Sequence, residues 1–217
     1  MNTLRNKIAI FVCSSAILLS SACTGIETQG IFYGLYYGLG ALNVASEFVG
    51  DYKTMRVDLG PGATKEDIFK VKKYALIQPW SLKKNVPDDT RSIIDAFLSR
   101  LIQEIRTVSV NDIIVTEDEL IAASPALKEA SDIGAYIEAA HAKELDAIIT
   151  TKTWLHNEGH LITGFKLVLW DTTTSGKKRL LATMHGEFKA PKKIDAAAVS
   201  IANTFFKSSP APTAVSK

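Results

Sequence analysis

The sequence predicts an α/β (α+β) fold: a mixed sheet in β-α-β-α-β-β-β-α order, with helices packed on it. Three observations predict it. Apolar residues recur every three to four positions in three stretches after residue 87, the period of a helix that buries one face. Short β-branched runs bounded by turn residues separate these stretches. Two long strand-like segments joined by polar turns lie ahead of the last helical stretch, the pattern of hairpins.

The elements follow in order. Residues 53–59 (KTMRVDL) form a short strand and Gly60-Pro61-Gly62 a turn. Thr64 with Asp67 makes a variant capping box for a short helix. The stretch GPGATK lacks the spacing of a phosphate loop and follows no long buried strand, so nucleotide binding there is excluded. Residues 73–80 (KYALIQPW) form a strand ended by Pro79. Pro87-Asp88-Asp89 opens a helix with acids at its positive end. Ile93, Ile94, Phe97, Leu98, Leu101, Ile102, Ile105 and Val108 give that helix one apolar stripe. Residues 112–116 (DIIVT) form a short buried strand. Ser124-Pro125 supplies a cap and a proline at the first position of the next helical region. That region carries Ile133, Tyr136, Ile137, Ala140 and Leu145. Residues 146–155 (DAIITTKTWL) are a third strand.

Two hairpins come next. A turn at 156–159 leads to a strand over 160–170, and a turn at 171–176 leads to another over 178–188. Ile194, Ala197, Ala198, Ile201, Ala202, Phe205 and Phe206 mark a last amphipathic helix. Residues 208–217 (SSPAPTAVSK) are expected to be a disordered tail. The two βαβ steps imply neighbouring parallel strands with right-handed crossovers. The expected layout is therefore 1–22 as a signal peptide, 23–52 as an apolar N-terminal tether, 53–207 as the α/β domain and 208–217 as tail.

The first segment is an address. Arg5 and Lys7 precede a nearly continuous apolar run over residues 8–19, and Ser20, Ser21 and Ala22 follow. That is the order of a secretory signal. The run is too short to cross a bilayer comfortably. The sequence Leu19-Ser20-Ser21-Ala22-Cys23 resembles a bacterial lipobox, with Ser20 where the commonest pattern has Leu. The resemblance implies that Cys23 is lipidated and becomes the mature N-terminus. Cleavage near Ala22 without lipidation, leaving a lone thiol, is the competing reading. By the same resemblance Thr24, in place of Asp, implies delivery to the outer membrane. Cys13 would leave with the signal, so a mature chain has no cysteine for catalysis, redox chemistry or metal binding.

Residues 28–46 (TQGIFYGLYYGLGALNVAS) hold no charge. Gly30, Gly34 and Gly38 recur every four residues and would share a helix face, a spacing that lets helices approach closely. Tyr33, Tyr36 and Tyr37 suit a membrane interface. Glycines weaken an isolated helix by about 1 kcal/mol each, so this segment needs a partner surface. Three partners remain open: its own domain, a copy of itself, or the membrane.

The chain has 217 residues, with Lys and Arg totalling 25 against 23 Asp and Glu. A formal charge of +2 is far from the basic excess of a nucleic-acid binder, so nucleic acid is excluded as a partner. Arg5 and Lys7 account for that +2; the chain from Cys23 on is formally neutral. It is polarised, however: residues 24–159 sum to −6 and residues 160–217 to +6. Lys177, Lys178, Arg179, Lys189, Lys192 and Lys193 concentrate near the last hairpin and helix start, a candidate surface for an acidic partner.

Candidate chemistry is sparse. His156 and His160 flank Asn-Glu-Gly and are weak metal candidates, because two strands joined by a turn do not present i and i+4 side chains as a helix does. His141 falls on a helix and His185 in a strand. No Ser stands in a G-x-S-x-G setting. Asp88-Asp89 and Glu117-Asp118-Glu119 are explained by helix starts or loops. No catalytic residue, cofactor or metal is expected.

The lipobox, the KYALIQPW strand with its helix, the LDAIIT strand and the Asp171-to-Gly176 hairpin together resemble bacterial envelope lipoproteins with an anticodon-binding-like α/β domain. The curli secretion channel lipoprotein and the activators of penicillin-binding proteins typify them. The resemblance spans about two thirds of the chain after Cys23 and rests on diffuse patterns, so it transfers no site residue. It implies a non-enzymatic, periplasm-facing accessory or assembly factor, anchored to the membrane by lipid, that meets another envelope protein or itself. An oligomeric subunit of an export pore and an envelope hydrolase are the alternatives.

Overall fold

The structure, a computed structural model, describes residues 51–78, 87–130, 132–156 and 160–206. The expected signal, Cys23, the Gly/Tyr-rich segment and the tail lie outside these residues. The strands are β1 (Tyr52–Leu59), β2 (Lys73–Ile77), β3 (Ile113–Thr116), β4 (Ala147–Leu155), β5 (Leu161–Asp171) and β6 (Arg179–Lys193). The helices are α1 (Lys65–Phe69), α2 (Asp88–Val108), α3 (Glu117–Ala123), α4 (Ile133–Ala142) and α5 (Ile194–Phe205), with a 3-10 turn at Pro125–Glu129. The expected α/β class and the mixed sheet are both present.

All six strands join one sheet in the order β1-β6-β5-β4-β2-β3. β2 runs parallel to both β3 and β4, and the remaining pairs are antiparallel. The first crossover thus joins neighbours, while the second, from β3 to β4, steps over β2. One layer packs the α2 stripe (Phe97, Leu101, Ile105) and α5 (Ala198, Ile201, Phe205) on Leu167, Leu169 and Met184. The other packs Leu120, Leu127, Tyr136 and Ile137 on Ala75, Ile77 and Ile148. Tyr52 anchors β1 in the first layer, its ring stacked on Phe188 at 5.0 Å and edge-on to Phe165 at 5.9 Å.

Local chemistry sets the helix starts. Thr64 and Asp67 form the expected reciprocal capping box of α1. Pro87 precedes α2, whose first turn holds Asp88 and Asp89.

Three expectations are corrected. Residues 112–116 were expected to be buried; β3 is instead an edge strand, and Ile113 is 54% exposed. Ser124 and Pro125 open only the 3-10 turn, without a side-chain cap. The long helical region therefore divides: Thr116 with Glu119 caps α3, and Asp132 caps α4 by accepting from the Gly134 amide. β6 continues beyond residue 188 to Lys193. Ile162 pairs with Lys192 and Gly164 with Glu187, so residues 188–191 bulge out of the β5 ladder and accommodate Pro191.

Candidate functional site

In open sheets with parallel strands, ligand sites form where adjacent strands send their connections to opposite faces. β2 and β3 meet this condition, because α2 lies in one layer and α3 in the other. A crevice of about 500 Å³ opens at their carboxyl ends, lined by Gln78, Asp95, Gln103, Arg106, Thr116 and Glu117 among others. Its polar groups bind one another. Glu117 accepts from the Gln78 amide at 3.1 Å and from the Tyr136 hydroxyl at 2.9 Å. The Gln78 side-chain amide donates to Asp95, and Arg106 donates to the Ile114 carbonyl at 3.0 Å. With both its oxygens engaged, Glu117 is held as a strut between β2 and α4.

The opposite ends of the parallel strands carry a second polar cluster. Asp146 accepts the amides of Lys72 and Lys73 at 2.8 and 2.9 Å, which fixes the start of β2 beside β4. Asp171 accepts from the Thr173 amide and hydroxyl and from Arg179. Arg179 also reaches Asp67 at 2.7 Å and the Gly62 carbonyl at 3.2 Å. These groups line a cavity of about 240 Å³. Asp67 is held below the ordinary carboxylate range, first by the Thr64 amide and then by Arg179. The same two carboxylates hold the Arg179 guanidinium above its usual value.

The histidines are scattered. His141 Nδ1 lies 2.8 Å from the Thr172 carbonyl oxygen, an acceptor only, so that nitrogen carries the proton. His156 and His160 are exposed at the other end of the β4–β5 hairpin, about 25–30 Å along the strands. His185 packs edge-on against Trp154 at 5.1 Å. No group of three or more His, Cys, Asp or Glu is placed to hold a metal ion among the described residues.

The six expected basic residues are not one surface. Lys177, Lys178 and Arg179 sit at the start of β6 and Lys189, Lys192 and Lys193 at its far end. Lys178 pairs with Asp132 at 3.2 Å, Arg179 with Asp67 and Asp171, and Lys192 with Asp51 at 3.0 Å. Half of the basic set therefore braces the fold. Sequence reasoning missed the crevice residues Gln78, Asp95, Gln103 and Arg106; their signal was their position around the carboxyl ends of two parallel strands, which needs the strand order.

No protein-family model matches the chain, and no curated protein matches it. Among solved structures, a PelC dodecamer from Paraburkholderia phytofirmans is similar at 15% identity and a TM-score of 0.34, covering 70% of this chain and 93% of its own. A point variant of the same dodecamer gives 15% identity and a TM-score of 0.36, over 70% and 94%. Both scores are too low to carry an argument about function.

Proposed function

We propose that this chain is an outer-membrane lipoprotein, anchored at Cys23, whose α/β domain faces the periplasm as an accessory or assembly factor of an envelope complex. The observation that carries the reading is the run Leu19-Ser20-Ser21-Ala22-Cys23 after a charged and then apolar segment. The geometry supports association as its mode of action. β1 and β3 leave both sheet edges open among the described residues, and Val110 and Ile113 are 80% and 54% exposed at the β3 edge. Such edges take up strands or apolar surfaces of other chains.

Labelling cells with a radioactive fatty acid tests the anchor: label is expected in the wild type and not in Cys23→Ala. Equal label in both removes the lipoprotein reading. Crosslinking in cells followed by pull-down from solubilised envelope tests the assembly role, which requires a defined protein adduct. The uncharged segment with Gly30, Gly34 and Gly38 favours a second reading, a subunit of an export pore. That reading requires a ring-like oligomer in detergent.

A further inference from the structure

We propose that residues 28–46 of the same chain dock in the groove between α5 and the start of β1. The groove is largely apolar, about 590 Å³, and is lined by Tyr52, Ala196, Val199, Ser200 and Asn203, with Asp51 and Lys192 at its rim. Three features single out this occupant.

The first is where the described chain begins. Asp51 forms the rim, held there by Lys192 at 3.0 Å and by the Ser200 hydroxyl at 3.2 Å. Residue 46 is five residues away, a reach of at most about 18 Å. The groove runs along α5 from Ala196 to Thr204, about 12 Å. The groove is therefore within reach of residue 46, and a segment of the length of residues 28–46 exceeds what is needed to fill it.

The second is chemical match. Residues 196–206 carry no charge, and neither do residues 28–46. An outward helix face normally carries charged side chains; here it presents Ala196, Val199 and Asn203, with Val199 37% exposed. The two charged groups of the groove, Asp51 and Lys192, pair with each other at 3.0 Å, so an uncharged occupant buries no unpaired ion there. Ser200, Asn203 and Thr204 already donate to Asp51, the Val199 carbonyl and the Ser200 carbonyl, so what they present to tyrosine hydroxyls is acceptor oxygen.

The third is the contrast with the other chain end. Residues 207–217 follow α5 in sequence, but they carry Lys207, Lys217 and two prolines and no aromatic residue. They have little apolar surface to bury in this groove.

The docking needs no lipid on Cys23, so it goes beyond the anchor reading and fails separately from it. The test places a photocrosslinking amino acid at Asn203 in the full chain, with and without Cys23→Ala, and maps the adduct by mass spectrometry. The expected result is an intrachain crosslink to residues 28–46 at monomer mass in both backgrounds. A crosslink to residues 207–217, to a second copy, to another protein or to lipid, or no crosslink, overturns the proposal. Adding Val199→Asp, at an exposed position, is expected to abolish the crosslink while the melting temperature stays within a degree or two. A crosslink that survives that substitution also overturns it.

Discussion

Arg179 and Asp171 face each other as the last paired residues of the β5–β6 hairpin, and the guanidinium Nη1 donates to Asp171 Oδ2 at 3.1 Å. The other oxygen of Asp171 accepts from the Thr173 amide and hydroxyl at 2.8 and 2.6 Å. One buried carboxylate thus holds the turn and the strand start together, while Arg179 carries the tie on to α1 through Asp67. Asp171→Ala leaves those donors without their acceptor and is expected to cost about 2–3 kcal/mol in urea unfolding. Arg179→Lys cannot bridge both carboxylates with a fork and should fail to restore the tie. A loss below about 0.5 kcal/mol for Asp171→Ala would show the network to be surplus.

The hairpin network also shows what the sequence could and could not reveal. The turn over residues 171–176 was legible because polar residues interrupt two apolar runs. That its first residue binds an arginine eight positions later, and through it a helix more than a hundred positions earlier, depends on tertiary placement. The same holds for β3. Its apolar run suggested burial, yet β4 inserts on the far side of β2 and leaves β3 at the edge. α3 was hidden for a different reason: Glu117-Asp118-Glu119 suits a helix start or a loop equally, and its cap, Thr116, is also the last residue of a strand.

Gly186 sits where β6 crosses the aromatic cluster. A Cβ there would lie 2.6 Å from Phe165 Cε1 and 2.7 Å from Cζ, with Tyr52 Cδ1 at 3.3 Å. Phe165 is fully buried, so the ring has no open space into which to turn. Gly186→Ala is expected to destabilise by about 1–3 kcal/mol through overpacking, read as a lower melting temperature. An unchanged melting temperature would mean that the ring relaxes freely.

Asp112 supplies a pH dependence. Burial between α2 and β3 pushes its carboxyl up from 3.8 to about 6, with Lys72 opposing the rise. The buried Tyr74 hydroxyl, which feels the Asp112 charge, has no hydrogen-bond partner among the described residues. The folded state therefore holds this proton more tightly than the unfolded state does. The resulting cost is absent below about pH 4, grows between 4 and 6, and is complete above 6. Asp112→Asn keeps an acceptor for the Ser109 hydroxyl and removes the charge. It is expected to gain about 1 kcal/mol at pH 8, a two-unit shift discounted for half-exposure, and nothing at pH 4. Urea midpoints that differ equally at both pH values would contradict this.

Lys152 on β4 lies directly opposite Lys166 on β5, Lys166 opposite His185 on β6, and His185 opposite Arg56 on β1. Directly opposed residues share a face, so a row of basic side chains crosses four strands where α3 and α4 do not cover the sheet. Arg56 is relieved by Asp58 at 2.7 Å, whereas Lys152 and Lys166 make no ion pair among the described residues. Like charges directly opposed weaken a sheet. Lys166→Glu should convert the repulsion into attraction and stabilise by about 0.5–1 kcal/mol at low salt. Screening at 1 M salt should erase most of that gain. Adding Lys152→Glu rebuilds a like-charged pair with the opposite sign and should return stability close to that of the parent. If both variants are stabilised alike, the gain comes from net charge and not from the Lys152–Lys166 pair.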